Sequence, residues 1–252
     1  MTDDILFAHL ERLHAGRPWG RVLDAGSGRD SLRWIAGLDS EHWTAITADQ
    51  PRADRLAREF RRDSRPSDRV IAGNWNDPAL LWSEVFDVVV ADYLVGAVDR
   101  FAPNFQSEIF RRLRPHVGDR LYAIGLEPYD ETATTPGGRI VLDIARLRDA
   151  CILHAGHRCH REYPLDWVLA RLEDAGFAID DARSFPIVYG PKFVNGQLDV
   201  CVAKLASIND PELARGLRHR IEDLRRQALA LYESHQGIHF GADWVVAARA
   251  KL

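Results

Sequence analysis

The sequence has little lysine and cysteine and no long apolar run, and each shortage excludes something. Only Lys192, Lys204 and Lys251 are lysines among 33 basic residues, so 30 are arginine. Arginine suits anion recognition, but a bias this uniform is also what genome base composition produces. Cys151, Cys159 and Cys201 are too few and too widely spaced for a disulfide scaffold, and the odd count leaves at least one thiol unpaired, which fits a reducing compartment. No segment reaches the ~18–20 consecutive apolar residues of a membrane span. The acidic start Met1-Thr2-Asp3-Asp4 lacks the basic flank of a signal peptide. The expected location is cytoplasmic, with no membrane partner. The 37 acidic residues leave a formal net charge of −4, which argues against bulk nucleic-acid binding and leaves local patches open.

What is present is an ordinary globular composition, 46% hydrophobic and 28% charged over 252 residues, enough for one large domain or two small ones. Short β-branched runs alternate with amphipathic segments through the first half, the signature of a parallel sheet covered by helices. Strands are expected at 21–24, 43–49, 69–72, 86–91 and 121–126. The unbroken apolar run Val88–Ala91 marks a central strand buried on both faces. Ala53, Leu56, Ala57 and Phe60 keep the spacing of one helix face, as do Phe105, Ile109 and Leu113 before Pro115. Further helices are expected through Ile140–Cys151, Leu165–Leu172, Leu198–Leu205 and, after an Asp210-Pro211 start, along Leu213–Leu231. A sixth strand starts at Phe177 and runs irregularly toward Tyr189, and a final strand falls at 243–249. The expectation is a single α/β domain over 1–252, with helical insertions at about 138–160 and 190–237.

The informative segment is Val22-Leu23-Asp24-Ala25-Gly26-Ser27-Gly28-Arg29-Asp30, where a strand ends in a carboxylate and enters a Gly-x-Gly turn before a helix. Glycines there let backbone approach a ligand where a Cβ would intrude. A dinucleotide site wants a third glycine, but Ser31 stands in that place, and Asp24 and Asp30 would repel a pyrophosphate. A ligand with a cationic amino-acid end and no phosphate suits these carboxylates better. Asp49, 21 positions beyond Gly28, ends the second strand where an acidic side chain can accept bonds from both ribose hydroxyls, and Gln50 follows it.

These residues resemble the class I S-adenosylmethionine-dependent methyltransferases. The match is to the Asp/Glu-x-Gly-x-Gly motif at Asp24, Gly26 and Gly28, to the acidic residue after the second strand at Asp49, and to the turn Gly73-Asn74-Trp75-Asn76 after the third. The segments Arg161-Glu162-Tyr163-Pro164, Ala175-Gly176-Phe177 and 241–249 are similar to the family's last strands and their approaches. The match departs at Asp30, where many members carry glycine, and in segments 128–160 and 190–237. The resemblance implies a Rossmann-like, seven-stranded, mostly parallel sheet with helices on both faces and the last strand antiparallel. It also implies S-adenosylmethionine as cofactor. Asp24, Gly26, Ser27 and Gly28 would then lie around its amino-acid end, Asp49 and Gln50 at the ribose, Asn74 and Trp75 near adenine, and Asp92 and Tyr93 beside the methionine moiety.

No Asn/Asp-Pro-Pro-Tyr follows the fourth strand, and no cysteine lies there to attack a cytosine. By subtraction the expected acceptor is a small molecule, and the alternatives are a protein or RNA substrate or a non-catalytic cofactor-binding protein. His154, His157 and His160 are dense enough to supply a general base, and no second ligand knuckle accompanies them to make a zinc site. Tyr93 and Tyr129 are candidate walls of an acceptor pocket. The arginines of 111–114 and 218–226 read as exposed helix faces, and the 213–231 stripe as core, with a homodimer seam as the alternative.

Overall fold

The computed structural model describes residues 2–62 and 64–251. The chain divides into two compact units. The first comprises Met1–Glu127, His160–Phe185 and Asp243–Leu252, and the second Pro128–Cys159 and Pro186–Ala242.

Seven strands form one sheet: β1 (Arg21–Asp24), β2 (His42–Thr47), β3 (Arg69–Ala72), β4 (Phe86–Asp92), β5 (Val117–Leu126), β6 (Phe177–Tyr189) and β7 (Ile238–Ala250), in the order β3-β2-β1-β4-β5-β7-β6. The ladders from β3 through β5 are parallel, and β7 runs antiparallel to β5, with Leu121 opposite Ala248 and Leu126 opposite Asp243. Successive side chains of a strand point to opposite faces, and both faces of this sheet are covered within the first unit. Val22, Val88, Val90, Tyr122 and Ile124 pack with α1 (Thr2–His14), α2 (Arg29–Ala36) and α3 (Gln50–Phe60). Leu23, Val89, Leu121 and Ala123 pack with α4 (Leu94–Phe101), α5 (Ile109–Leu113) and α7 (Leu165–Asp174). Double coverage explains the apolar run without alternation in β4.

In the second unit, α6 (Pro136–His154), α8 (Pro191–Leu205) and α9 (Pro211–His235) pack on one another. Their starts are set locally. Thr135 Oγ1 accepts from the Gly138 amide, Asp210 Oδ1 accepts from the amides of Glu212 and Leu213, and each helix opens on proline. Ile221, Leu224 and Ala228 of the expected α9 stripe are buried, while Leu213, Leu217 and Leu231 are half-buried. Cys151, Cys159 and Cys201 form no disulfide among the described residues.

Several boundaries differ from expectation for physical reasons. The second strand ends at Thr47, because Asp49 leaves the ladder to cap α3. The helix expected from Phe105 begins only at Ile109, since Asn104 has φ 66° and Phe105 lies in the turn that follows. β5 and β7 start four and five residues earlier than expected, at Val117 and Ile238. Pro186 is tolerated near the end of β6 because that strand is the sheet's edge. Helices α1 and α4 carried no expectation. No described helix is long and apolar enough to cross a membrane.

Candidate functional site

The turn after β1 is held by its neighbours on both sides. The Ala25 amide donates to the Val90 carbonyl of β4 at 2.8 Å, and the Ser27 amide to the Ile46 carbonyl of β2 at 2.7 Å. A Cβ at Gly26 would lie 3.0 Å from Leu94 Cδ1 and 3.2 Å from its Cβ, so glycine is what lets α4 close over the turn. A Cβ at Gly28 would meet only the Ser31 hydroxyl, at 3.8 Å. The space beside Gly28 is left open by the protein itself.

Beneath this turn Asp24 is fully buried. The Gly28 amide donates to Ser31 Oγ at 3.0 Å, and the Ser31 hydroxyl donates to Asp24 Oδ2 at 2.9 Å. Ser31, in the place of a third glycine, thus relays a bond from the turn to the carboxylate. Asp24 Oδ1 receives no hydrogen bond from the described residues. Burial pushes the Asp24 carboxyl from 3.8 up to about 6, opposed by the Ser31 bond and more weakly by Ser27 and the Gly26 amide. A buried carboxylate with an orphaned oxygen is costly, and a cationic donor is the group that would relieve it.

Asp49 Oδ1 accepts from the Arg52 amide at 2.9 Å and caps α3, while Oδ2 has no partner among the described residues. Gln50 is exposed and bonds Asp54 at 2.8 Å. After β3, the Asn74 amide group is engaged at both ends. Nδ2 donates to the Phe101 carbonyl at 2.8 Å, and Oδ1 accepts from the Asn76 amide at 3.2 Å. Trp75 is 4% exposed, donates from Nε1 to the Ala25 carbonyl at 2.6 Å, and carries the Arg112 guanidinium 5.4 Å from its ring centre.

These segments surround a cleft at the carboxyl ends of β1, β2 and β3. One side is built by Gly26, Ser27, Ile46–Ala48 and Gly73–Trp75, and the other by the inner face of α4, Leu94, Ala97, Val98 and Phe101. Arg52 is the one charged residue among those lining it. Of the residues expected at the cofactor, Gly26, Ser27, Asn74 and Trp75 line the cleft, while Asp24 and Gly28 belong to the turn it rests on. Asp49 stands in the cap next to Ala48. The α4 face and Arg52 were not anticipated, although 94, 97, 98 and 101 keep the spacing of one helix face.

Asp92 ends β4, and Tyr93 follows in the left-handed region at φ 47°, ψ 23°, a conformation that costs a bulky residue roughly 1–3 kcal/mol. The Tyr93 hydroxyl donates to Asp243 Oδ1 at 2.8 Å, and Asp243, near the middle of β7, is 3% exposed. Tyr129 and Tyr189 share a 2.6 Å hydroxyl bond in the second unit. His154, His157 and His160 are all exposed, and none lines the cleft. Most of the arginines expected as solvated faces are tied to carboxylates, as in Arg111–Glu108, Arg220–Asp143 and Arg226–Asp223.

No family model and no curated protein matches the chain. Solved structures do. A presumed methyltransferase of Bacillus halodurans C-125 superposes with a TM-score of 0.63 at 14% identity, covering 98% of this chain and 99% of that one. The [4+2]-cyclase SpnF gives 0.58 at 15%, covering 99% and 81%. Mycolic acid cyclopropane synthase CmaA1, solved with SAH and CTAB, gives 0.57 at 15%, covering 98% and 82%. The chain has the α/β, Rossmann-like fold of the class I S-adenosylmethionine-dependent methyltransferases.

Proposed function

We infer that the protein is an S-adenosylmethionine-dependent methyltransferase acting on a small-molecule acceptor. The observation that carries this reading is the apolar cleft beside a buried carboxylate, Asp24, whose Oδ1 lacks a donor. A phosphate-bearing nucleotide would bring negative charge to that carboxylate, whereas an ammonium group would satisfy it. The residues present therefore fit the cofactor. The Asp24 turn would hold its amino-acid end, Asp49 Oδ2 its ribose, and the walls of α4 and Gly73–Trp75 its adenine.

Bound there, the cofactor supplies an electrophilic methyl group on a sulfonium. What the chain must do is align an acceptor with it and keep water out. Tyr93 and Asp243, linked at the carboxyl edge of β4 and β5, stand on the acceptor side in this reading. For an acceptor that must lose a proton, His154, His157 and His160, exposed and outside the cleft lining, stay a proposal as base, tested by the loss of rate on substitution of each with glutamine.

A second reading is that the nucleotide is bound without methyl transfer, in keeping with a solved neighbour of this fold that is named a [4+2]-cyclase and not a methyltransferase. Calorimetry with S-adenosylmethionine and S-adenosylhomocysteine, followed by mass spectrometry of candidate acceptors, separates the cases. Binding of both ligands with a 14 Da gain on an acceptor supports the first reading. Binding without any methylated product favours the second, and failure of both ligands to bind at millimolar concentration removes the cofactor assignment.

A further inference from the structure

Arg52 is the only charged side chain lining the cleft, and its guanidinium has no hydrogen-bond or ion-pair partner among the described residues. Other charged groups of α2 and α3 are engaged: Arg29 and Arg33 of α2 both pair with Glu59 of α3, Arg58 donates to the Asp54 carbonyl, and the Asp54 carboxylate takes the Gln50 amide. The backbone of Arg52 is fixed at the cleft's edge by its amide bond to Asp49. An unpaired guanidinium at the mouth of an apolar cleft suits two kinds of ligand, an anion or the face of an aromatic ring. The Asp49 carboxylate in the same helix cap weakens the field an anion would feel and leaves the interaction with a neutral ring intact. Across the cleft, Ala97, Val98 and Phe101 offer an apolar wall suited to the other face of a flat heterocycle.

We propose that Arg52 is an adenine-contacting residue, its planar guanidinium covering the solvent side of an adenine held between it and α4. This rests on the reading that the cleft takes S-adenosylmethionine. The Arg52→Ala variant removes an exposed side chain without described bonds, so its melting temperature is expected to match the wild type.

The test is calorimetry of adenosine, S-adenosylhomocysteine and adenosine 3′-phosphate against wild type and Arg52→Ala. The expected result is that all three bind the wild type and all three weaken by the same factor, roughly three- to thirty-fold, in the variant. A loss confined to adenosine 3′-phosphate would show that Arg52 reads an anion, and a loss confined to S-adenosylhomocysteine that it serves the amino-acid end. Either result, or no loss at all, overturns the proposal while leaving the cofactor reading standing. If the wild type binds none of the three, the cofactor reading itself fails and the proposal with it.

Discussion

The two units are built on different terms. All twelve buried polar or charged side chains among the described residues, Asp24, Ser31, Asp99 and Asp243 among them, lie in the sheet unit. The helical unit buries apolar side chains and cysteines, such as Val141, Ile144, Val194, Leu198, Cys201 and Leu224, with Tyr189 the one phenol among its buried described residues. A core of the second kind is specified by volume and pattern and tolerates exchange of similar side chains. A core of the first kind holds groups that are costly unless partnered, and in it Asp24 Oδ1 and Gln106 Nε2 are left without a hydrogen-bond partner among the described residues.

Changes in the helical core should therefore move stability alone. Leu224→Ala in α9 is expected to cost about 2–5 kcal/mol in denaturant unfolding and to leave the affinity for S-adenosylhomocysteine unchanged. A parallel loss of affinity would break the distinction between the units.

Asp24 should behave in the opposite way. Its folded-state carboxyl stands at about 6 against an ordinary 3.8, so the folded state holds the proton more tightly than the unfolded chain. The stability this group allows is complete below pH 3.8 and is lost as the pH rises through 6, a difference of about 3 kcal/mol by pH 7. Asp24→Asn should accordingly be more stable than wild type at pH 7, with a flatter stability profile between pH 4 and 6, while its affinity for S-adenosylhomocysteine drops at least roughly tenfold, as loss of a charge-assisted bond requires. A destabilised Asp24→Asn would mean that the carboxylate is structural.

Asp49 has two separable tasks. Asp49→Ala should lose about 1 kcal/mol with the α3 cap together with affinity, and Asp49→Ser should restore the cap without restoring affinity. Calorimetry beside thermal melting reads both. The smallest effect is expected at Tyr93. Its hydroxyl is committed to Asp243, so Tyr93→Phe should cost about 1 kcal/mol and leave cofactor affinity unaltered. A drop in affinity would move Tyr93 from the acceptor side to the cofactor.

The legible parts of this molecule were those with local signals. The Gly-x-Gly turn, the β-branched runs and the Asp210-Pro211 start depend on residues next to one another, and the family resemblance that the turn carries implied the seven-stranded, mostly parallel sheet. Helix α4 was missed because its apolar face and the preceding strand merge into one apolar stretch, Val88–Ala102, interrupted by Asp92 and Tyr93 alone before Asp99 and Arg100. The role of Ser31 was hidden because a serine in place of a glycine reads as a loss until its hydroxyl is seen between Gly28 and Asp24. Trp75, expected near adenine through the turn it belongs to, lines the cleft, and the bond from its indole N–H to the Ala25 carbonyl is a tertiary contact that no local signal reveals.

The proposed function requires the buried, under-bonded Asp24 carboxylate of the sheet unit to receive the ammonium group of a nucleoside ligand. Titrating S-adenosylhomocysteine into wild type at pH 6, in two buffers of different ionisation enthalpy, tests it most directly. Binding that releases protons, with the release absent in Asp24→Asn, is the predicted result. Binding with no proton release, or with release that persists in Asp24→Asn, would contradict it.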